Sequence, residues 1–196
     1  MRTTHERNLG SVIARSADAT PDALALSIGT GNARTFALLW EKSRHLAGGL
    51  AALGVVKGDR IALLLHGQVE HADAMVACSL LGAAFVSLEA SRSTQELTQL
   101  AGWRCKGVIA VDYALPAIVA AREQIDSLRW VVGVCTARGR STPAQLQALG
   151  VRPYAEIAAP VPSSYRFVDG LPDVSNVFPL HRPPLQPSAI DHNLQD

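Results

Sequence analysis

An excess of charge of either sign is missing from this chain. Its 196 residues carry 18 Lys and Arg against 17 Asp and Glu, a formal net charge of +1. No Lys/Arg stripe is available to neutralise a run of phosphates, so no nucleic acid partner is expected. Apolar runs of about 18 residues are also missing, and no membrane span is expected. The opening MRTTHERNLG is too polar for a signal peptide, which points to a soluble, cytoplasmic protein. Cysteine is scarce. Cys78, Cys105 and Cys135 are odd in number and never in C-x-x-C spacing. They read as buried thiols of a reducing compartment rather than as disulfides or a metal site. The sequence has no G-x-S-x-G elbow, H-E-x-x-H or G-x-G-x-x-G. Cys78, between Ala77 and Ser79 in a helical pattern, reads as a packed residue and not a nucleophile. No catalytic, cofactor-binding or metal residue is assigned.

What the sequence does contain is alternation of strand and helix. Asn8 caps a helix with apolar Leu9, Val12, Ile13 and Ala17 at helical spacing, and Thr20-Pro21-Asp22 stops it. Leu24 to Ile28 fits a strand, Gly29 to Asn32 a hairpin turn, and Arg34 to Phe36 its partner. From Phe36 to Leu53 the i, i+3, i+4, i+7 pattern is clear, with Gly54 past its end. Gly48-Gly49 is expected to allow close packing on a sheet.

The stretch from Leu50 to Leu97 organises the rest. Arg60 to Leu65 is a continuous apolar run, as in a strand covered on both faces. His66-Gly67-Gln68 follows its carboxyl end, where open α/β sheets bind ligands; His66 is nevertheless read as an ordinary loop residue. In the next helix, Val69 to Leu81, Ala72, Val76 and Leu80 are expected on the sheet. Glu70, His71 and Asp73 are expected outward, in a solvated helix start rather than a metal cluster. Ala83 to Leu88 is a second buried strand, and Ser93 with Glu96 a capping box. Parallel strands need such crossover helices, so the fold class is α/β, an open and mostly parallel sheet with helices on both faces. Further on come a strand at Val108–Val111, a helix from Leu115 to Leu128, a strand from Arg129 to Val134, and a Thr142-Pro143 helix start. The stretch Thr136 to Ser141, with Arg138 and Arg140, reads as a solvated loop.

Several segments, in order, resemble the amino-terminal part of the adenylate-forming (AMP-binding) enzymes, which include acyl-CoA synthetases, luciferases and peptide-synthetase adenylation domains. Thr35-Phe36 through Leu39 is similar to their T-Y-x-E-L. Leu46 to Leu53 followed by Gly54-Val55-Val56-Lys57-Gly58-Asp59-Arg60-Ile61-Ala62 resembles L-x-x-x-L-x-x-x-G-V-x-x-G-D-R-V-A. Leu81 to Leu88 resembles K-x-G-A-x-x-V-P-L, with Ser87 in place of the proline. His66-Gly67 stands where the family commonly has proline and asparagine. The resemblance continues more weakly from Cys105 to Ile157, and Tyr154-Ala155-Glu156-Ile157 resembles the segment before the family's nucleotide-binding core.

The family's phosphate loop, Y-T-S-G-T-T-G-x-P-K-G, has no counterpart, nor has its carboxyl-terminal lysine. The resemblance therefore implies an acyl-CoA synthetase-like α/β subdomain over residues 8–158, truncated before that loop; residues 159–196, Pro-rich and without sustained periodicity, read as a poorly ordered tail. It implies a fragment of an AMP-dependent carboxylate ligase, inactive alone. ATP, Mg and CoA are implied only for a complete family member; for this chain no cofactor is expected. The alternatives are a non-catalytic binding or accessory protein and one half of a split ligase completed by another chain. Self-association, or a protein partner covering the exposed subdomain face, is expected where a neighbouring domain would otherwise pack.

Overall fold

The computed structural model describes residues 8–29, 32–90 and 100–160. Its framework is a five-stranded parallel sheet of β3 (Arg60–Leu64), β4 (Ala84–Ser87), β5 (Gly107–Val111), β6 (Trp130–Val134) and β7 (Arg152–Pro153), in the order β4-β3-β5-β6-β7. β5 and β6 are buried at every position, and β3 from Ile61 onward, which is why they read as unbroken apolar runs. β7 is a two-residue edge strand, and its Pro153 sits where a missing N–H is tolerated. A separate antiparallel hairpin pairs β1 (Leu24–Ile28) with β2 (Asn32–Thr35).

Before the sheet lie α1 (Leu9–Ala19) and α2 (Phe36–Ala52), and between β3 and β4 lies α3 (Glu70–Leu81). Both early caps are side-chain oxygens on backbone N–H groups: Ser11 N–H donates to Asn8 and Leu38 N–H to Thr35. After β5 come α4 (Leu115–Ala121), α5 (Pro143–Ala148) and α6 (Tyr154–Ile157). The chain moves from β3 outward to β4, then returns across β3 to β5, β6 and β7. Right-handed crossovers then put α3 on one face and α4 and α5 on the other. Packing agrees: a methyl added at Gly133 of β6 would meet Leu115 of α4 and Leu146 of α5 together. This is the open α/β sheet expected from the alternation.

Three local expectations are corrected. In α3, Ala74, Ala77 and Cys78 join the sheet core, whereas Val76, with Ala72 and Leu80, packs on Ile13 of α1 and Leu39 of α2. The helix is covered on two sides because α1 and α2 lie over its outer face, so Asp73 is fully buried rather than solvated. Gly49 makes its close approach to the backbone of Ile157 in α6, where an added methyl would overlap the carbonyl, and not to the sheet. The helix expected to reach Leu128 ends at Ala121 in a short 3-10 turn, Arg122–Gln124. Ile125 and Leu128 are buried there by a turn, while Arg122 reaches over to donate to the Gly150 and Arg129 carbonyls. The Ser93/Glu96 capping box and the 161–196 part of the expected tail lie outside the described residues.

Candidate functional site

In an open α/β sheet the crevice for a ligand forms beyond the carboxyl ends of two strands whose connections diverge. Here β3 is flanked by β4 on one side and β5 on the other, so the divergence lies between β3 and β5. The residues that follow those strands are Leu65-His66-Gly67-Gln68 and Asp112-Tyr113.

On the β3 side, Gln68 N–H donates to the Leu65 carbonyl at 3.0 Å, closing a turn that leaves His66 exposed. The next helix begins there, and His71 on its first turn places Nε2 2.9 Å from the Ser87 hydroxyl at the end of β4. Burial lowers the His71 pKa, and the nearby His66 lowers it further, so the ring is neutral near pH 7. His66 and His71 therefore share one sheet edge with Ser87. No carboxylate orients the imidazole among the described residues, so this pair is a polar contact surface and not a nucleophile–base–orienter set.

On the β5 side a buried carboxylate holds a loop. Asp112, 3% exposed, accepts the Thr136 hydroxyl at 2.7 Å, Ser141 N–H at 3.0 Å and Tyr113 N–H at 3.1 Å. Burial pushes its pKa up, but these donors outweigh burial and hold it below the usual carboxylate range. Gly139 N–H donates to Thr136, and any side chain at Gly139 would overlap the carboxylate. Arg138 lies over the Tyr113 ring, 4.5 Å from its centre. The stretch read as a solvated loop is thus tied to the sheet edge at both ends. Cys135, expected buried, is exposed at the start of this loop, because β6 ends at Val134 and the chain leaves the core. Cys78 and Cys105 are buried, and burial pushes their thiols up to about 12 and about 11, which leaves both unreactive.

A magnesium–triphosphate needs free carboxylates and convergent backbone N–H groups. Asp112 has its oxygens committed to three donors, and among the described residues no three His, Cys, Asp or Glu side chains group to hold a metal. The edge as described does not fit that group.

Sequence reasoning missed a second buried carboxylate. Arg34 of β2 donates to Asp73 of α3 through Nε to Oδ1 at 3.2 Å and Nη2 to Oδ2 at 3.0 Å, and Tyr154 of α6 donates its hydroxyl to Oδ2 at 3.4 Å. Burial raises the Asp73 pKa, and Arg34 and Tyr154 offset this only in part. The signal was present: Asp73 is in phase with Val76, Ala77 and Leu80 at i+3, i+4 and i+7.

The segment that carries the strongest resemblance sits at the other end of the sheet, before β3. Gly54 and Gly58 take left-handed φ of 81° and 88°, which glycine adopts without strain. Asp59 accepts Val56 N–H at 2.8 Å, and Lys106, entering β5, donates to Asp59 at 2.7 Å and to the Gly54 carbonyl at 2.7 Å. The motif is a structural clasp between two strand starts.

Comparison with known proteins gives that geometry a family. The chain is 38% identical over 91 residues to a feruloyl-CoA synthase of an Amycolatopsis species, a match covering 46% of this chain and 18% of that protein. It is 42% identical over 80 residues to the 2-succinylbenzoate–CoA ligase of Bacillus subtilis, covering 41% of this chain and 16% of the relative. Among solved structures, the N-terminal domain of FACL13 from Mycobacterium tuberculosis superposes with a TM-score of 0.59 at 28% identity, over 65% of this chain and 33% of that one. The chain thus spans about a fifth or less of the length of the curated relatives it matches. The model of the AMP-binding enzyme family matches residues 13–163, more than half of the 196, and the chain belongs to that family.

Proposed function

We propose that this polypeptide is the amino-terminal scaffold of an acyl-CoA ligase, carrying the parallel sheet on which carboxylate adenylation is organised but not performing that chemistry by itself. The observation that supports this most is the role of the family motif. Gly54 to Arg60, the most recognisable stretch, is engaged in closing a turn and clasping Lys106, away from the carboxyl edge of the sheet. At that carboxyl edge Asp112 is consumed by its own loop. Adenylation develops charge on a phosphoryl group and needs preorganised donors aimed at it. The reading assigns those donors to a separate chain or further segment. It places the protein in the cytoplasm, where unpaired Cys78 and Cys105 stay reduced.

The test is pyrophosphate release. The 196-residue protein, incubated with ATP, magnesium and a carboxylic acid, is expected to give none above blank. Ferulate, 2-succinylbenzoate and a long-chain fatty acid are the acids to try, following the activities of its relatives. Pyrophosphate formed by this chain alone would sink the proposal.

A second reading, a self-associating or partner-binding protein, is favoured by Leu9 and Val12, which are 36% and 41% exposed on one face of α1. Light scattering over a concentration series distinguishes the two. A monomer throughout, with no mass increase, counts against self-association.

A further inference from the structure

At the amino-terminal edge of the sheet, opposite the crevice described above, lies an open cavity of about 600 Å³ lined by Asp59, Arg104, Lys106, Asp126, Ser127 and Arg129 among others. We infer that this cavity is an anion site, which takes inorganic phosphate or the phosphate group of a small monoester between Arg104 and Arg129. The inference does not rest on the proposed ligase role.

Three observations carry it. The first is charge. Lys106 and Asp59 neutralise one another at 2.7 Å, which leaves Arg104 and Arg129 against a single remaining carboxylate in the lining, Asp126. Among the described residues neither Arg104 nor Arg129 has a side-chain hydrogen bond or ion pair, in contrast to Arg34, Arg60 and Arg122. Arg104, Ser127 and Arg129 all line this one concavity, and guanidinium forks with a hydroxyl are donors suited to phosphate oxygens.

The second is backbone. Arg104 has φ of 50°, a left-handed conformation at the end of the helical turn before β5. Arg104 N–H donates to the Ala101 carbonyl at 3.0 Å and Cys105 N–H to the Leu100 carbonyl at 3.2 Å, the arrangement of a helix end that glycine fills without strain. An arginine here is costlier than glycine for the fold, and this arginine is one of the residues that line the cavity. The third is placement. Arg129 is fixed from behind, since its N–H donates to the Lys106 carbonyl at 2.8 Å and its carbonyl accepts from Arg122, so its side chain starts from a rigid strand entrance. A cavity of this size accommodates a ligand larger than a bare phosphate.

Calorimetric titration of the whole chain at fixed ionic strength tests this with inorganic phosphate, ribose 5-phosphate and uncharged ribose. Both phosphates are expected to bind saturably and ribose not at all. Arg104→Gly, which relieves the backbone, and Arg129→Gln should each weaken phosphate by about tenfold or more, the usual consequence of losing a charge-assisted contact. Arg140→Gly is the control: it removes the same charge and relieves a similar φ of 57° in the loop between β6 and α5. It should leave affinity unchanged. Ribose 5-phosphate binding more than about tenfold tighter than phosphate assigns the site to a monoester, and equal affinities assign it to the free anion. No saturable binding of either phosphate, or equal weakening in all three variants, overturns the inference.

Discussion

Asp73 and Asp112 are both buried aspartates, yet they are held in opposite ways. Asp73 lies among helices, and its charge is met by one guanidinium and a phenol that arrive from β2 and α6. Asp112 lies at a strand end and is met by a hydroxyl and two backbone N–H groups from its own neighbourhood and one loop. Burial dominates the first and raises its pKa; donors dominate the second and lower it. Asp73 therefore ties three distant segments into one body, whereas Asp112 orders a local loop at the ligand-facing edge. Removing the first should damage the whole fold, and removing the second should damage mainly the edge.

The largest effect is expected at the first site. Asp73→Ala leaves Arg34 poorly paired in a setting where its side chain is only 15% exposed. Breaking a buried pair from one side typically costs about 3–5 kcal/mol. Urea denaturation should show a loss of that order. Replacing both partners at once, Arg34→Met with Asp73→Leu, should lose much less, because no charge is then stranded. Equal losses for the single and double variants would mean that the pair itself, and not the stranded charge, sets the stability.

A smaller effect should follow from moving the third partner without touching any charge. Gly49→Ala would drive a methyl into the Ile157 carbonyl and push α6 off α2, taking Tyr154 with it. Overpacking of this kind costs about 1–3 kcal/mol. If the network acts as one unit, Gly49→Ala combined with Tyr154→Phe should be less than additive in thermal unfolding.

These sites also mark where the sequence was legible. The strands Arg60–Leu64, Gly107–Val111 and Trp130–Val134 were readable because a strand buried on both faces has no polar alternation. Helix caps at Asn8 and Thr142 are local chemistry, and local chemistry is visible in sequence. Asp73 was misread because a first-turn acid is ordinarily solvated, and the coverage of α3 by α1 and α2 is a tertiary fact. The Asp112 loop was missed for a related reason. Thr136 and Ser141 lie 24 and 29 residues from their acceptor, so no motif spacing links them. The Arg104 and Arg129 cavity was missed likewise, since it is assembled at the amino ends of separate strands.

The two aspartates should also respond to pH with opposite sign. For Asp112 the native pKa lies below the unfolded value near 3.8, so its stabilisation is present above that value and is lost as pH falls through the native one. For Asp73 the native pKa lies above 3.8, so its ionisation erodes stability as pH rises through the native value. The stability gap between the parent and Asp112→Asn, about 1–3 kcal/mol at neutral pH for buried donors left facing an amide, should shrink on acidification. The gap between the parent and Asp73→Asn should instead grow on acidification. Parallel trends in the two denaturation series would show that the carboxylates are not held differently.

The finest test separates order at the edge from stability of the body. Arg138 is exposed and stacks on the Tyr113 ring, beside the loop that Asp112 holds. A cation–π contact at an exposed position contributes about 0.5–1 kcal/mol, so Arg138→Ala should lower global stability by no more than that. The Gly139 and Ser141 amides depend on the loop staying down, since one donates to Thr136 and the other to Asp112. Their hydrogen exchange should accelerate in Arg138→Ala while amides of β5 and β6 remain as protected as in the parent. If instead the strand amides accelerate in step with the loop, the edge and the body open together, and the division drawn between the two aspartates does not hold.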